Sequence, residues 1–199
     1  MSGRAAHAVV AEPPRSSGVL LGKVGDGLML MPLRDPSGPT RIAVDVDDAV
    51  TVVRYSKERL PDELPAVAHH GEALDRVDVL HHGENATVLI VAIGQFAGLG
   101  LAVADRLCSQ GITATVVDPL WALPVSGTLV GLASSHDLVV TLEDGLVDGG
   151  VGERVEAALH RIGAPSRVLA FGVPKQFLSQ GSRDEILDEI GLTAPKITL

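Results

Sequence analysis

The 199-residue sequence predicts an α/β fold, a mostly parallel five-stranded sheet covered by helices and preceded by an incomplete N-terminal segment. Three observations predict it. Thr87–Pro124 reads as strand, helix, strand and proline-bounded turn. Further β-branched runs alternate with amphipathic helical spacing as far as Gly191. Aromatic residues make up only 3% of the chain, so Val, Leu, Ala and Ile must fill the core, which suits a parallel sheet under small-residue helices.

The central unit carries the clearest signals. Thr87–Ile93 is an unbroken apolar run of strand length, as expected of a parallel strand buried on both faces, and Gly94 ends it. From Phe96 the spacing becomes helical, with Phe96, Leu99, Val103 and Leu107 on one stripe and Gly111 as the left-handed stop. Thr113–Val117 is again β-branched, which makes the unit a right-handed βαβ crossover.

Around it the chain reads in order. Residues 1–18 are expected to be a loose tail, and Gly18–Met31 two short strands about a glycine-rich turn. The prolines of 32–40 argue against regular structure there, and Val50–Val53 is a further strand run. Residues 57–75, with Pro61, Pro65 and the pair His69–His70, read as a surface connection. The second unit opens at Arg76, where RVDVLHHG alternates as an edge strand should. Ser126 caps a short helix to about Ser134, and Asp137–Leu142 is a third buried strand. The glycine-rich DGLVDGGVG leads to a helix whose inner face is Val151, Val155, Ala158, Leu159 and Ile162, stopped by Gly163 and Pro165. Arg167–Gly172 is the fourth strand of this unit after the edge. Ser182–Glu185 is a capping box opening a last helix with Ile186, Leu187 and Ile190 inward and Gly191 as its stop.

Composition limits the functions. A net charge of −9 argues against a nucleic-acid surface, and no apolar run approaches a membrane span or the core of a signal peptide. With Cys108 as the only cysteine, no disulfide framework or thiol metal cluster forms within one chain, and a reducing cytoplasm fits. Cys108 itself reads as buried helix packing.

The candidate sites each have a plain structural alternative. Asp118, at the end of the second strand, falls where a ribose-binding carboxylate sits in a dinucleotide fold. Gly94, Gly98 and Gly100 are spaced GxxxGxG instead of GxGxxG, however, and bulky Gln95 and Phe96 occupy the tight approach, which favours a structural turn. Gly25–Asp26–Gly27 matches the opening of a diphosphate and magnesium motif but lacks the asparagine pair that completes the metal shell, so a hairpin turn fits better. His69–His70 and His81–His82 place neighbours on opposite strand faces without a third ligand at metal spacing. Glu143 and Asp144 stand at the carboxyl end of a strand beside a glycine-rich loop, where α/β folds place function; they are loop or interface candidates, or simply loop caps.

Three blocks carry a more specific likeness: LIVAIGQFAGLGLAVADRLCSQGITATVVDPLWALPV, LVVTLEDGLVDGGVGERV and GVPKQFLSQGSRDEILDEIGLT. In order and spacing they resemble the C-terminal domain of the 1-deoxy-D-xylulose-5-phosphate synthase family, and more loosely that of the transketolase superfamily. VDVDDAVTVVRYSKE resembles the end of the same family's preceding pyrimidine-binding domain. The resemblance implies a three-layer fold with an antiparallel edge strand. It divides the chain into a loose segment 1–40, a remnant of the pyrimidine-binding domain plus linker at 41–75, and a transketolase C-terminal-like domain at 76–199.

The resemblance also implies a transferase that uses thiamine diphosphate and magnesium to condense pyruvate with glyceraldehyde 3-phosphate, in isoprenoid and thiamine biosynthesis. In the family an N-terminal domain holds the diphosphate and metal, and the carboxylate that activates the aminopyrimidine lies earlier in the central domain. Neither matches a stretch of this sequence, so the resemblance implies a truncated or split member that binds no cofactor alone and catalyses nothing alone. Lys57 matches the basic residue that anchors the aldehyde's phosphate, with Ser56 and Glu58 replacing the family's flanking proline and glycine. PKITL follows the third block in place of a closing helix, as in a shortened C-terminus. The implied partner is a second copy or a complementary chain carrying the thiamine diphosphate domains, with neither nucleic acid nor membrane. A non-catalytic dimerisation or regulatory module is the alternative, and a small nucleotide-binding protein is disfavoured by the absent phosphate loop.

Overall fold

Every residue of Val88–Ala92 and of Ala114–Pro119 is buried, the environment in which an unbroken apolar run is stable as a parallel strand covered on both faces. The computed structural model describes residues 18–24, 27–33, 51–55, 64–72, 75–119 and 121–199. Its strands are β1 (Gly18–Val24), β2 (Gly27–Leu33), β3 (Thr51–Tyr55), β4 (Ala68–His70), β5 (Val77–His81), β6 (Val88–Ala92), β7 (Ala114–Pro119), β8 (Leu138–Leu146) and β9 (Arg167–Val173). Its helices are α1 (Ala97–Ser109), α2 (Gly127–Ser134), α3 (Val151–Arg161), α4 (Arg183–Glu189) and α5 (Ala194–Ile197), and a 3₁₀ turn, Gly94–Phe96, precedes α1.

The main sheet has the order β4-β5-β7-β6-β8-β9. Strands β7, β6, β8 and β9 are mutually parallel, and β5 is antiparallel to β7. Helices α2 and α3 pack on one face over Leu89, Val91, Val117 and Val139. Helices α1, α4 and α5 cover the other, over Ile90, Ala92, Val116 and Leu142. The expected three-layer, mostly parallel architecture is therefore present.

Several details differ from the sequence expectation for physical reasons. The sheet has six strands. Part of the stretch expected as a surface connection forms β4, which pairs antiparallel with β5 and satisfies a strand edge that would otherwise be open. Val67 N–H donates to the Val79 carbonyl at 2.8 Å, and Leu64 and Ala66 pack on the core, so the packed unit takes up residues ahead of Arg76.

Helix α1 is turned from the expected stripe. Because Gly94–Phe96 is a 3₁₀ turn, the helix starts at Ala97 and sets Ala97, Gly100, Val103 and Ala104 against the sheet, with Leu99 and Leu107 only partly buried. The small residues permit a close approach. A Cβ on Gly100 would lie 2.5 Å from Ala92 Cβ and 3.1 Å from Val116 Cγ1. Cys108 is exposed, not buried: it lies in the last turn of this helix, which ends at Ser109, beyond the last buried position, Ala104.

Strand β8 continues to Leu146, beyond the Leu142 end expected from its glycines. Against β9, Leu142 pairs with Phe171 and Leu146 with Val173, so Glu143, Asp144 and Gly145 bulge opposite Gly172 alone. Ile162 is exposed, since α3 ends at Arg161 and its buried face stops at Leu159. A one-turn closing helix, α5, does follow the third block, with Pro195 in its first turn and Ala194 buried. The expected left-handed stops occur at Gly111, Gly163 and Gly191.

Strands β1–β3 form a separate antiparallel sheet of order β2-β1-β3. Val24 pairs with Gly27, in keeping with the hairpin reading, although residues 25 and 26 lie outside the described residues. Strand β2 includes Pro32, contrary to expectation; an edge strand tolerates proline because its outward N–H has no partner to lose. Of the expected tail, residues 1–17 lie outside the described residues, and Gly18 begins β1. Among the described residues no helix is long and apolar enough to cross a membrane.

Candidate functional site

The carboxyl ends of β6, β7 and β8 bring together residues from all three sequence blocks. Strand β6 ends in Ile93 and the chain reverses at Gly94, whose N–H donates to Asp118 Oδ1 at 3.2 Å. Asp118 is 3% exposed at the end of β7, and this bond makes it part of the turn.

The next residue, Gln95, points its amide across β6 to β8 and donates to Asp144 Oδ2. Arg183, at the start of α4, closes on the same carboxylate, with Nη2 at 3.3 Å from Oδ2 and Nη1 donating to Oδ1 at 3.4 Å. Its guanidinium stands 5.6 Å from the centre of the Phe96 ring, within range of a cation–π contact. Arg183 can reach there because the capping box fixes the first turn of α4: Ser182 Oγ accepts from Glu185 N–H, and Glu185 Oε2 accepts from Ser182 N–H at 2.8 Å. The Ser182 N–H and hydroxyl, both donating to Glu185 Oε2 at 2.8 Å, hold the Glu185 carboxyl below its ordinary range.

Glu143 has a different role. Only 5% exposed, it turns beneath the bulge and accepts from Val151 N–H at 2.9 Å and Gly152 N–H at 3.0 Å, the open amides at the start of α3. Burial pushes its carboxyl above the usual range; the two amide donors oppose that shift and Glu153 adds to it. Gly150 makes room, since a Cβ there would lie 2.5 Å from Glu143 Oε1, 2.6 Å from Oε2 and 2.5 Å from the Leu146 carbonyl oxygen.

The sequence reading of Glu143 and Asp144 as a pair therefore separates into a helix cap and a cross-block tie. It missed Gln95 and Arg183 as partners. Gln95 follows directly on a strand-ending glycine, the position where α/β sheets present side chains, and that was the available signal. Arg183 gave none, being one basic residue within a capping box.

The other candidates do not converge here. His69, His70, His81 and His82 are exposed, and among the described residues no three His, Cys, Asp or Glu side chains are grouped to hold a metal ion. Lys57 lies outside the described residues. The three carboxylates at this end of the sheet do not fit a diphosphate with its metal. Asp118, Glu143 and Asp144 are each turned to protein donors, and a magnesium ion bridging phosphates needs a carboxylate free to ligate it. The arrangement ties chain segments from three blocks together.

Comparison with known proteins agrees with the geometry. The family profile for the transketolase C-terminal domain matches residues 77–197. The 1-deoxy-D-xylulose-5-phosphate synthase of Clavibacter sepedonicus is 48% identical over 155 residues, covering 78% of this chain and 23% of that protein. A second such synthase from Kitasatospora griseola is 49% identical over 159 residues, covering 79% and 25%. Among solved structures, an inactive β4 tetramer of a split-gene transketolase superposes with a TM-score of 0.63 at 31% identity, covering 73% of this chain and 46% of that one. The chain thus spans about a quarter of the length of these curated synthases.

Proposed function

Because the chain belongs to the transketolase C-terminal domain family, we propose that it is the C-terminal part of a 1-deoxy-D-xylulose-5-phosphate synthase-type enzyme, truncated or split, which acts with thiamine diphosphate domains on another polypeptide. The observation that carries this reading is 48% identity over 155 residues, confined to 23% of the relative. The reaction is that of the relatives, the condensation of pyruvate with glyceraldehyde 3-phosphate. In this reading residues 76–199 are the C-terminal domain, 41–75 the end of the preceding domain with its linker and 1–40 a loose N-terminal segment. Lys57 is the proposed contact for the aldehyde's phosphate, serving as a point charge. The tie of Gln95 and Arg183 to Asp144 sets the carboxyl end of the sheet as a rigid platform for the partner.

The 199 residues alone are expected neither to hold thiamine diphosphate tightly nor to turn over pyruvate, because Asp118, Glu143 and Asp144 at the carboxyl end of the sheet are committed to protein donors. Titration calorimetry with thiamine diphosphate and magnesium, alongside a coupled pyruvate-consumption assay, tests this. Micromolar binding with turnover by this chain alone overturns it, and activity that appears only with a complementary chain supports the split enzyme. A second reading, a non-catalytic dimerisation or regulatory module, is favoured by one observation: the related split-gene transketolase chain assembles as an inactive β4 tetramer.

A further inference from the structure

We propose that the apolar surface at the carboxyl end of β8 and β9, with Phe177 as its anchor, is where the polypeptide carrying the thiamine diphosphate domains docks, an inference that rests on the split-enzyme reading. Phe177 is fully exposed, and Leu146, at the end of β8, is 51% exposed. Both lie at one end of the sheet: Leu146 pairs with Val173, Val147 N–H donates to the Val173 carbonyl at 3.0 Å, and Phe177 follows four residues after Val173. The segment that presents the ring is tied down on both sides. Gln176 N–H donates to the Pro174 carbonyl at 2.8 Å, and Ser179 Oγ donates to Glu189 Oε1 at 3.0 Å. Beyond Ser179 the chain enters the Ser182 capping box, and Arg183 fastens that to Asp144. An aromatic ring held in water by a fixed backbone costs hydration free energy that only a partner returns, which is the usual setting of an interface anchor.

The identity of the occupant follows from two observations. The matched relatives continue well beyond the aligned part, so in them a long stretch of the same polypeptide is available to lie against this domain. Within this chain the backbones of β1 and β2, both upstream of the domain, already approach the Gly94–Phe96 turn at the same end of the sheet. Between Val173 and Ser182 the only charged residue is Lys175, on a chain of net charge −9. The fitting partner surface is therefore an apolar pocket.

A control lies at the opposite end of the sheet. Ile162 is 59% exposed just after α3, ahead of the start of β9, and it should play no part. The test mixes the full 199-residue chain with the part of the Clavibacter sepedonicus synthase that precedes the matched segment, using calorimetry and light scattering. The variants are Phe177→Ser, Leu146→Ser and Ile162→Ser, all at exposed positions where folding is not at risk. The expected result is binding by the native chain, at least about tenfold weaker binding for Phe177→Ser, a smaller loss for Leu146→Ser and none for Ile162→Ser. Binding that survives Phe177→Ser unchanged overturns the anchor while leaving the split-enzyme reading intact. No binding by the native chain overturns both. A native chain that self-associates and is released by Phe177→Ser makes a second copy the occupant and overturns the inference.

Discussion

Helices α2 and α3 lie side by side on one face of the sheet, and each begins against a carboxylate that arrives from another element. Asp75 reaches α2 from the segment ahead of β5, accepting from Thr128 Oγ1 at 2.5 Å and Thr128 N–H at 3.4 Å. Glu143 reaches α3 from the bulge of β8. The local chemistry is the same and the responses are opposite. Hydrogen bonds, led by the Thr128 hydroxyl, hold the exposed Asp75 carboxyl below its ordinary value, while burial pushes Glu143 above its own. Helix-end donors thus decide the sign only where water still screens the charge; inside the protein, desolvation outweighs two good amide bonds.

The comparison breaks most sharply at Gly150. An alanine there sets a methyl within 2.6 Å of both Glu143 oxygens and the Leu146 carbonyl, so the carboxylate must leave its amides or the loop must move. Gly150→Ala should cost about 3 kcal/mol in denaturant unfolding, the upper range for overpacking combined with two amides left short of an acceptor. Gly145→Ala, whose Cβ would meet Glu143 Oε2 at an ordinary 3.5 Å, should cost far less by the same measurement.

The pH dependence of Glu143 sharpens the comparison. Its folded value lies above the unfolded 4.5, so between those two values the folded chain keeps a proton that the unfolded chain has released. Stability from this group is complete below 4.5 and falls as pH rises through the raised folded value. Glu143→Gln should flatten that fall, so that the unfolding free energy of the variant, measured against pH and compared with the native chain, loses its negative slope there. A native profile that rises across the same window would contradict the assignment.

Arg183 and Asp144 form the intermediate case, with side chains 26% and 22% exposed. Arg183→Ala removes the ion pair and the contact with Phe96 together, and helix α4, which has no fully buried residue, depends on that tie. A loss of about 1 kcal/mol is expected, with faster amide exchange confined to residues 182–191. Arg183→Lys should restore only part of it, because an ammonium cannot span both carboxylate oxygens as the guanidinium does.

The sequence made the parallel strands, the caps and the helix stops legible, because each is written locally: β-branched runs for β6 and β7, Ser126 and Ser182 for the caps, Gly111, Gly163 and Gly191 for the ends. What was not legible depends on contacts distant in sequence. β4 exists because β5 offers an edge. The rotation of α1 follows from a 3₁₀ turn that places Gly100 over Ala92. The separation of Glu143 from Asp144 comes from a bulge against β9 that periodicity does not encode. The same limit applies to the site, where Glu143 and Asp144 were visible by position but Gln95 and Arg183 become partners only after three blocks fold together.

The smallest expected effect is at Asp75. Its folded value lies below 3.8, so its stabilisation is fully present above 3.8 and is lost as pH falls through the folded value, the mirror image of Glu143. Because the carboxylate is exposed, water and salt screen most of the gain, and Asp75→Asn should cost only about 0.5 kcal/mol near neutral pH and less at high salt. The difference in melting temperature between the native chain and Asp75→Asn should shrink toward zero in acid, when the native carboxylate is itself protonated. If the difference persists unchanged in acid and in high salt, the contribution at this position is the packing of Asp75 against Thr128 and not its charge. The contrast between an exposed and a buried helix-end carboxylate would then rest on Glu143 alone.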